Sequence, residues 1–402
     1  MEIQSYIDQK IDIQNLLLEF IDEEIDENNL LFIAPDKNLP NLEYREELRE
    51  LLYLILKISN NHHRCDGFFN KIKQIFLILK EDINNSFSKA EIFDIFKSNK
   101  RIILLLLETE IIVVDETITN LIIKKSNILS TKISLFKEKN QNDNQYCHYF
   151  YPEIKPFIDN EKNYLIKNEL LKIDPQIFNS FDQKRKIGEN DSHISELIRN
   201  DQVGEFISYV NIRNLPLINK IKPSMFETNP FLINKEPTFI EYAAFFGSIQ
   251  IFQYLKMNKV VLTPSLWLYA IHGNKPELIH LLEENRIKPE DKTYFKCLEE
   301  AIKCHHNNIA NYIQSNLLNQ KMDDENCQKK FNENSIAFCF HYYNYACLPI
   351  VDDFINNDFT LFYLCKYNYF NLVTLFVEIK GLKLKEKVFS SIITCKISQI
   401  LV

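Results

Sequence analysis

Glycine and proline are scarce in this chain. With 6 Gly and 13 Pro in 402 residues, few tight turns can be built on them, and an all-β sandwich is not expected. Gly67, Gly188, Gly204, Gly247, Gly273 and Gly381 stand singly, so no G-x-G-x-x-G, phosphate-cradling P-loop or G-x-S-x-G elbow can be assembled. The usual nucleotide-binding α/β enzymes and serine hydrolases are excluded on that ground. No catalytic residue, cofactor, metal or small-molecule substrate is expected. Positive charge is also in short supply. Lys plus Arg number 47 against 55 Asp plus Glu, a net charge of −8, and no basic face is evident for nucleic acid. A long apolar run is missing as well. RIILLLLETEIIVV (101–114) is broken by Glu108 and Glu110 and is too short to span a bilayer. The opening MEIQSYIDQK has no charged n-region followed by an apolar h-region. The expected place is intracellular and cytoplasmic, with the nucleus left open. Nine cysteines, an odd number, then read as reduced and mostly buried thiols.

What is present is helical grammar, clearest in TFIEYAAFFGSIQIFQYL (238–255). The small pair Ala243-Ala244 lets two helices approach closely. Gly247 can adopt the left-handed conformation that ends a helix, and Ile251, Phe252 and Leu255 continue an apolar face beyond it. The stretch therefore predicts a short helix, a tight turn and an antiparallel second helix. With Gly247 as position zero, apolar residues fall at −7, −4, −3, +4 and +8. The same template recurs at Asn274 (Trp267, Ala270, Ile271, Leu278, Leu282), at His305 (Leu298, Ala301, Ile302, Ile309, Ile313) and at Asn368 (Leu361, Leu364, Cys365, Leu372, Phe376). Asp201 fits except that Glu205 stands at +4, so Phe206 must turn inward instead. Asn and Asp tolerate the left-handed conformation better than other non-glycine residues, whereas His305 is less at ease there.

Successive centres lie 46, 27, 31 and 63 residues apart, as 247 − 201, 274 − 247, 305 − 274 and 368 − 305. The last gap has room for a further unit, with FCFHYYN (338–344) as its first helix and Pro349 disturbing its second. Upstream, residues 1 to about 140 read as helices, including EELRELLYLILKIS (46–59). A further helix–turn–helix is expected around Asn99. KEKNQNDNQ (137–145) reads as a polar loop, and the array is expected to end near Lys385.

The 238–247 segment resembles the ankyrin repeat, which opens T-P-L-H-x-A-A-x-x-G. Thr238, Ile240, Ala243, Ala244 and Gly247 match, while Phe239 and Glu241 replace the usual Pro and His. The whole chain resembles a divergent ankyrin-like family expanded in trichomonad-type parasitic protists. NNHHR, EIFDIFKSNKRI, KIGENDSHISELIRND, LWLYAIHGNKPELIHLLEEN and FYLCKYNYFNLV carry that likeness. The resemblance implies an all-α, ankyrin-like helix–turn–helix solenoid (188–402) behind an N-terminal helical region (1–187) that itself holds diverged repeats. It carries no activity. It implies a protein-binding scaffold without catalysis, because each unit needs its neighbours to bury its apolar faces and such arrays present rigid surfaces to partners. The other readings are a two-part adaptor, with the N-terminal helices and the array binding different partners, and an enzyme with an unfamiliar site.

Two clusters have metal-ligating side chains: His62, His63 and Cys65, and Cys304, His305 and His306. Neither has the C-x₂₋₄-C or H-x₃₋₅-H spacing of zinc sites, and adjacent histidines on a helix point about 100° apart. Turn and helix-end histidines bonded to backbone carbonyls are the expectation. Cys297, Cys304, Cys339, Cys347 and Cys365 read as core residues. Cys147-His148 lies in no catalytic signature. The template leaves Tyr242, Phe245, Tyr269 and His272 off its core positions in two adjacent units. They are expected to form an aromatic strip that anchors a protein partner, with Lys235 and Lys288 at its rim to steer an acidic one.

Overall fold

The computed structural model describes residues 2–22, 25–26, 30, 33–126, 145–158, 180–318, 325–349, 355 and 359–379. Residues 137–144 of the expected polar loop and the expected end of the array near Lys385 lie outside them. Among the described residues the regular structure is all helical, mostly α with a π-helical segment at Ile313–Leu318, and there is one isolated antiparallel bridge between Lys220 and Thr238. No helix among them is long and apolar enough to cross a membrane. Two compact units emerge, one of residues 1–78 with 263–402 and one of residues 79–262. The boundary expected at 187/188 is therefore not where the compact units divide. The first and last parts of the chain share a core, which a reading in chain order does not anticipate.

In chain order the first helices are α1 (Glu2–Ile21), α2 (Asn41–Asn61) and α3 (Phe68–Ser86), with the boundary between the units inside α3. The second unit continues with α4 (Lys89–Phe96), α5 (Lys100–Glu108), α6 (Glu116–Lys125), α7 (Gln145–Tyr149), α8 (Tyr151–Ile158) and α9 (Phe181–Ile187). Its last two hairpins are α10 (His193–Arg199) with α11 (Val203–Ile212), and α12 (Phe239–Phe246) with α13 (Ile249–Met257). Returning to the first unit, the chain forms α14 (Leu266–His272), α15 (Pro276–Glu284), α16 (Phe295–Lys303), α17 (Asn307–Tyr312), α18 (Glu325–Tyr342), α19 (Thr360–Lys366) and α20 (Phe370–Ile379).

Local chemistry sets these ends. Ser88 and Glu91 close a capping box on α4, and Thr238 with Glu241 closes one on α12. Glu241, at the position where the ankyrin pattern has His, is thus a helix-start residue. Asn99 is not a left-handed turn centre as expected. Its φ is −124°, and its side chain caps α5 by accepting from the N–H groups of Arg101 and Ile102. The other centres do turn left-handed: φ is 49° at Asp201, 67° at Gly247, 48° at Asn274, 58° at His305 and 64° at Asn368. Tyr343, with φ 57°, is a further centre, and it falls within FCFHYYN (338–344), the segment expected to be the first helix of an additional unit. It divides the interval of 63 into 343 − 305 = 38 and 368 − 343 = 25 residues. The N–H at each centre bonds the carbonyl three residues back, as in His305 to Ile302 (3.1 Å). At all but Asn274 the next N–H bonds the carbonyl at −4, as in His306 to Ala301 (3.0 Å), which together make the Schellman closure. After Tyr343 the chain makes a 3₁₀ turn, Tyr345–Cys347, before Pro349.

The hairpins stack by a repeated contact. In the 79–262 unit the Ser248 hydroxyl, one residue past its centre, donates to the carbonyl of Ile198, three residues before the preceding centre (2.5 Å). In the other unit the same relation joins His306 Nδ1 to Ile271 (2.7 Å), Asn344 Nδ2 to Ile302 (2.9 Å) and the Tyr369 hydroxyl to Phe340 (2.9 Å). Each such bond brings a second donor to a carbonyl that already accepts from the N–H of its own turn centre. First helices pack on first helices: α10 on α12 in one unit, and α14 on α16, α16 on α18 and α18 on α19 in the other. Ala243, Ala244, Ala270 and Ala301 are buried at these contacts, and Phe206 is buried while Glu205 faces solvent.

In the unit that joins the chain ends, α20 packs on α1 and α2, and the 3₁₀ turn packs on α1. Gln14 ties the same parts together, donating to Asn344 (2.9 Å) and accepting from the Tyr345 N–H (2.7 Å). Lys10 and Glu47 pair in the interior at 3.2 Å. Beside them Glu50 is 1% exposed, and burial pushes its carboxyl up to about 7. Oε2 accepts from the hydroxyls of Tyr6 (3.2 Å) and Tyr345 (3.4 Å), while Oε1 has no hydrogen bond. A folded-state value above the ordinary 4.5 means that this group's contribution is full below about pH 4.5 and is lost as the pH rises through about 7. The ionised carboxylate then costs about 3 kcal/mol. Glu50→Gln is expected to be more stable than the parent by about 1–3 kcal/mol at pH 8 and equal to it near pH 4.5. Urea unfolding at the two pH values reads the difference. A constant offset between the proteins would show that Glu50 does not titrate in this range.

Candidate functional site

The side chains expected to form a partner-binding strip are not on a free surface. Tyr242 is 1% exposed, Phe245 6%, Tyr269 8% and His272 1%. The template's five apolar positions describe one stripe, but a short first helix also packs on the first helix of a neighbouring hairpin in its own unit. Its −5 and −2 positions are therefore covered as well. In the 79–262 unit the Tyr242 hydroxyl accepts from Arg199 (3.3 Å), and the Phe245 ring stacks on Phe231 at 5.6 Å. Lys235 is exposed, with its ammonium over the Phe231 ring (3.3 Å). In the other unit Lys288 is exposed, while His272 sits in a polar cluster.

That cluster comprises His272, Glu300 and Cys304. His272 Nε2 donates to Glu300 Oε1 (2.6 Å), and the Cys304 thiol lies 3.4 Å from His272 Nδ1. Burial alone would raise the Glu300 carboxyl, but the His272 bond and the Lys303 ammonium (2.9 Å) hold it down at about 2. A thiol, an imidazole and a carboxylate in this order have the connectivity of a nucleophile, its base and an orienting group. Here, however, burial pushes the Cys304 thiol well above its ordinary value, the opposite of what a reactive thiolate needs. S–H donates to Nδ1 and Nε2–H to the carboxylate, so every proton in the cluster has an acceptor.

The second cluster brings together the two histidine groups seen in the sequence. His62 and His63 do not sit on a helix. They follow the last residue of α2, and His62 is extended with φ −65° and ψ 151°. The 100° argument from helix geometry therefore does not apply to them. Asp22 follows α1, and His306 follows the turn centre of the α16–α17 hairpin. His62 Nδ1 faces the Cys304 carbonyl at 2.9 Å, and His306 Nδ1 faces the Ile271 carbonyl at 2.7 Å. Carbonyl oxygens only accept, so both Nδ1 atoms carry protons, and in the neutral form of either ring Nε2 presents a lone pair. These point inward. His62 Nε2 lies 3.1 and 3.2 Å from the two oxygens of Asp22. His306 Nε2 lies 3.3 Å from His63 Nδ1, which Asn274 Nδ2 also approaches at 3.4 Å. His63 Nε2 is 3.4 Å from Asp22 Oδ1. One ring nitrogen from each of the three histidines falls within 4.8 Å of the others.

Burial, then the charge of His62, pushes His63 down to about 3 and His306 well below the ordinary imidazole value. Desolvation would raise Asp22, but the His62 bond and the histidine charges hold it below the usual carboxylate range. His305, the strained turn centre, is 3% exposed and neither ring nitrogen makes a hydrogen bond. Burial pushes it down to about 3, although the Tyr343 and Lys303 backbone groups act in the other direction.

The expected carbonyl-bonded histidines are thus present at His62 and His306, and the expected core cysteines at Cys297, Cys304 and Cys339, with Cys347 and Cys365 half-buried. Sequence spacing missed the convergence of residues 22, 62, 63 and 306, because the ligating spacing is spatial and spans more than half the chain. Comparison of the chain with protein-family models, with curated proteins and with solved structures finds no match.

Proposed function

We propose that this chain is a protein-binding scaffold of stacked helix hairpins, related in design to the ankyrin-like solenoid and without catalysis of its own. The observation that supports this reading is the stacking bond that recurs within each compact unit, from one hairpin to the one before it, at Ile198 in the 79–262 unit and at Ile271, Ile302 and Phe340 in the other. Units joined in this way are rigid before any partner arrives, so association costs little ordering of the surface. The partner surface is not the buried Tyr242, Phe245, Tyr269 and His272. In the 79–262 unit the last residues of the stacked second helices α11 and α13 are Ile212 and Met257, which are 79% and 82% exposed. The loops that follow expose Ile218 (68%) and Val261 (72%). Arg213, Lys220 and Lys259 are exposed beside them, which fits an apolar partner surface with an acidic rim.

Affinity capture from the native cell tests the reading. Ile212→Ser with Met257→Ser is expected to lose a captured partner while the melting temperature stays within a few degrees, because neither side chain is in the core. Charge reversal at Arg213 and Lys259 is expected to slow association and change its salt dependence. Capture of every partner unchanged by the double variant would remove this surface from consideration.

A further inference from the structure

We propose that Asp22, His62, His63 and His306 form a structural binding site for Zn²⁺ or a similar divalent transition-metal ion. The argument begins with protons. With the Nδ1 protons of His62 and His306 committed to the carbonyls of Cys304 and Ile271, neutral rings leave one proton, on His63. That proton must serve three close contacts: His62 with Asp22 (3.1 Å), His63 with Asp22 (3.4 Å) and His63 with His306 (3.3 Å). Two of the three then set lone pair against lone pair. A second proton, on His62 Nε2, still leaves one such contact. The neighbouring cluster of His272, Glu300 and Cys304 has no deficit of this kind.

A divalent cation removes the deficit. Ligands bound tetrahedrally at about 2.0 Å lie about 3.3 Å from one another. The separations from His62 to Asp22 and from His63 to His306, at 3.1–3.3 Å, have that length. His62 and His306 bind through Nε2 and His63 through Nδ1, the three donors that the structure already brings together, and Asp22, 3.1 Å from His62 Nε2, turns one oxygen in as the fourth. Two of the three imidazoles already have the outer partner that fixes a metal-binding tautomer, a backbone carbonyl on the opposite nitrogen. Three imidazoles and a carboxylate suit zinc better than Mg²⁺ or Ca²⁺, which take oxygen donors. His63 and Asp22 have side chains 24% and 25% exposed, which opens a way in for the ion.

The ion would bind a residue after α1, two residues after α2 and one from the α16–α17 turn, segments up to 284 residues apart (306 − 22). It acts as a cross-link within the unit that joins the two ends of the chain. His306 then has two duties, since the ring that supports stacking through Nδ1 offers Nε2 to the metal.

The test uses the full chain, stripped with a chelator and titrated with Zn²⁺ in competition with a chromophoric chelator, and in parallel with Co²⁺. One tightly bound ion per chain is expected, with a rise in melting temperature that follows the free Zn²⁺ concentration. Co²⁺ is expected to give the intense visible bands of four-coordination without thiolate-to-cobalt charge transfer. His63→Gln and Asp22→Asn, both at half-exposed positions, are each expected to weaken Zn²⁺ by at least tenfold with the metal-free melting temperature held within a few degrees. If Asp22→Asn fails to fold, His63→Gln decides. No bound metal in the parent, unchanged affinity in the folded variants, or a thiolate band that places the ion on Cys304 would each overturn the proposal.

Discussion

Tyr242→Ala is expected to destabilise the protein by about 3–5 kcal/mol, the cost of removing a large aromatic ring from a closed core. The ring is 1% exposed and lies 4.8 Å from Phe246, centroid to centroid. Its hydroxyl accepts from Arg199 (3.3 Å), which also holds Glu189 at 2.7 Å and the Asn190 carbonyl at 2.7 Å. Truncation therefore leaves a cavity beside a buried charge network. Tyr242→Phe keeps the volume and removes only one of several Arg199 contacts, so a loss of about 1 kcal/mol is expected. Denaturant unfolding of the pair separates the packing part from the hydrogen bond. A solvent-facing tyrosine in a binding groove would give two variants as stable as the parent.

Leu255→Ala and Leu282→Ala are each expected to cost about 2–5 kcal/mol. Both side chains are 0% exposed and stand at the +8 position of their hairpins, in α13 and α15. The distribution of the damage carries more information than its size. In a stack of hairpins each unit contacts its neighbours, so the loss should spread mainly to those. For Leu255→Ala, hydrogen exchange should accelerate most in α12 and α13, then in α10 and α11, and least around Asn99 in α5. Equal acceleration at Asn99 and in α13 would mean that the 79–262 unit unfolds as one body.

Much of the helical design was legible in the residues. The small pair Ala243-Ala244, the turn at Gly247 and the stand-ins Asn274, Asn368 and Asp201 mark local events: close helix approach and left-handed backbone. Such events depend on side chains within a few positions of each other. Even His305, a poor residue for the task, is left-handed at φ 58°, because the Schellman closure around it demands that geometry. Tyr343 went unmarked for the complementary reason. A tyrosine has no intrinsic preference for positive φ, and its turn is held by the hydrogen bonds of Asn344 to Cys339 and Ile302. Asn99 shows the reverse error, since an asparagine between two helices serves equally well as a cap, and only the backbone tells the two roles apart.

By itself the sequence determined that this chain forms short amphipathic helices paired across tight turns, and where most of those turns fall, because periodicity and turn chemistry act within about ten residues. Tertiary structure alone decided which hairpins share a core, why the first 78 residues belong with residues 263–402, and which aromatic rings are covered. It also decided that Asp22, His62, His63 and His306 meet. Those outcomes depend on packing between segments hundreds of residues apart. Burial and the sharing of protons among the three rings arise only once the segments are in contact.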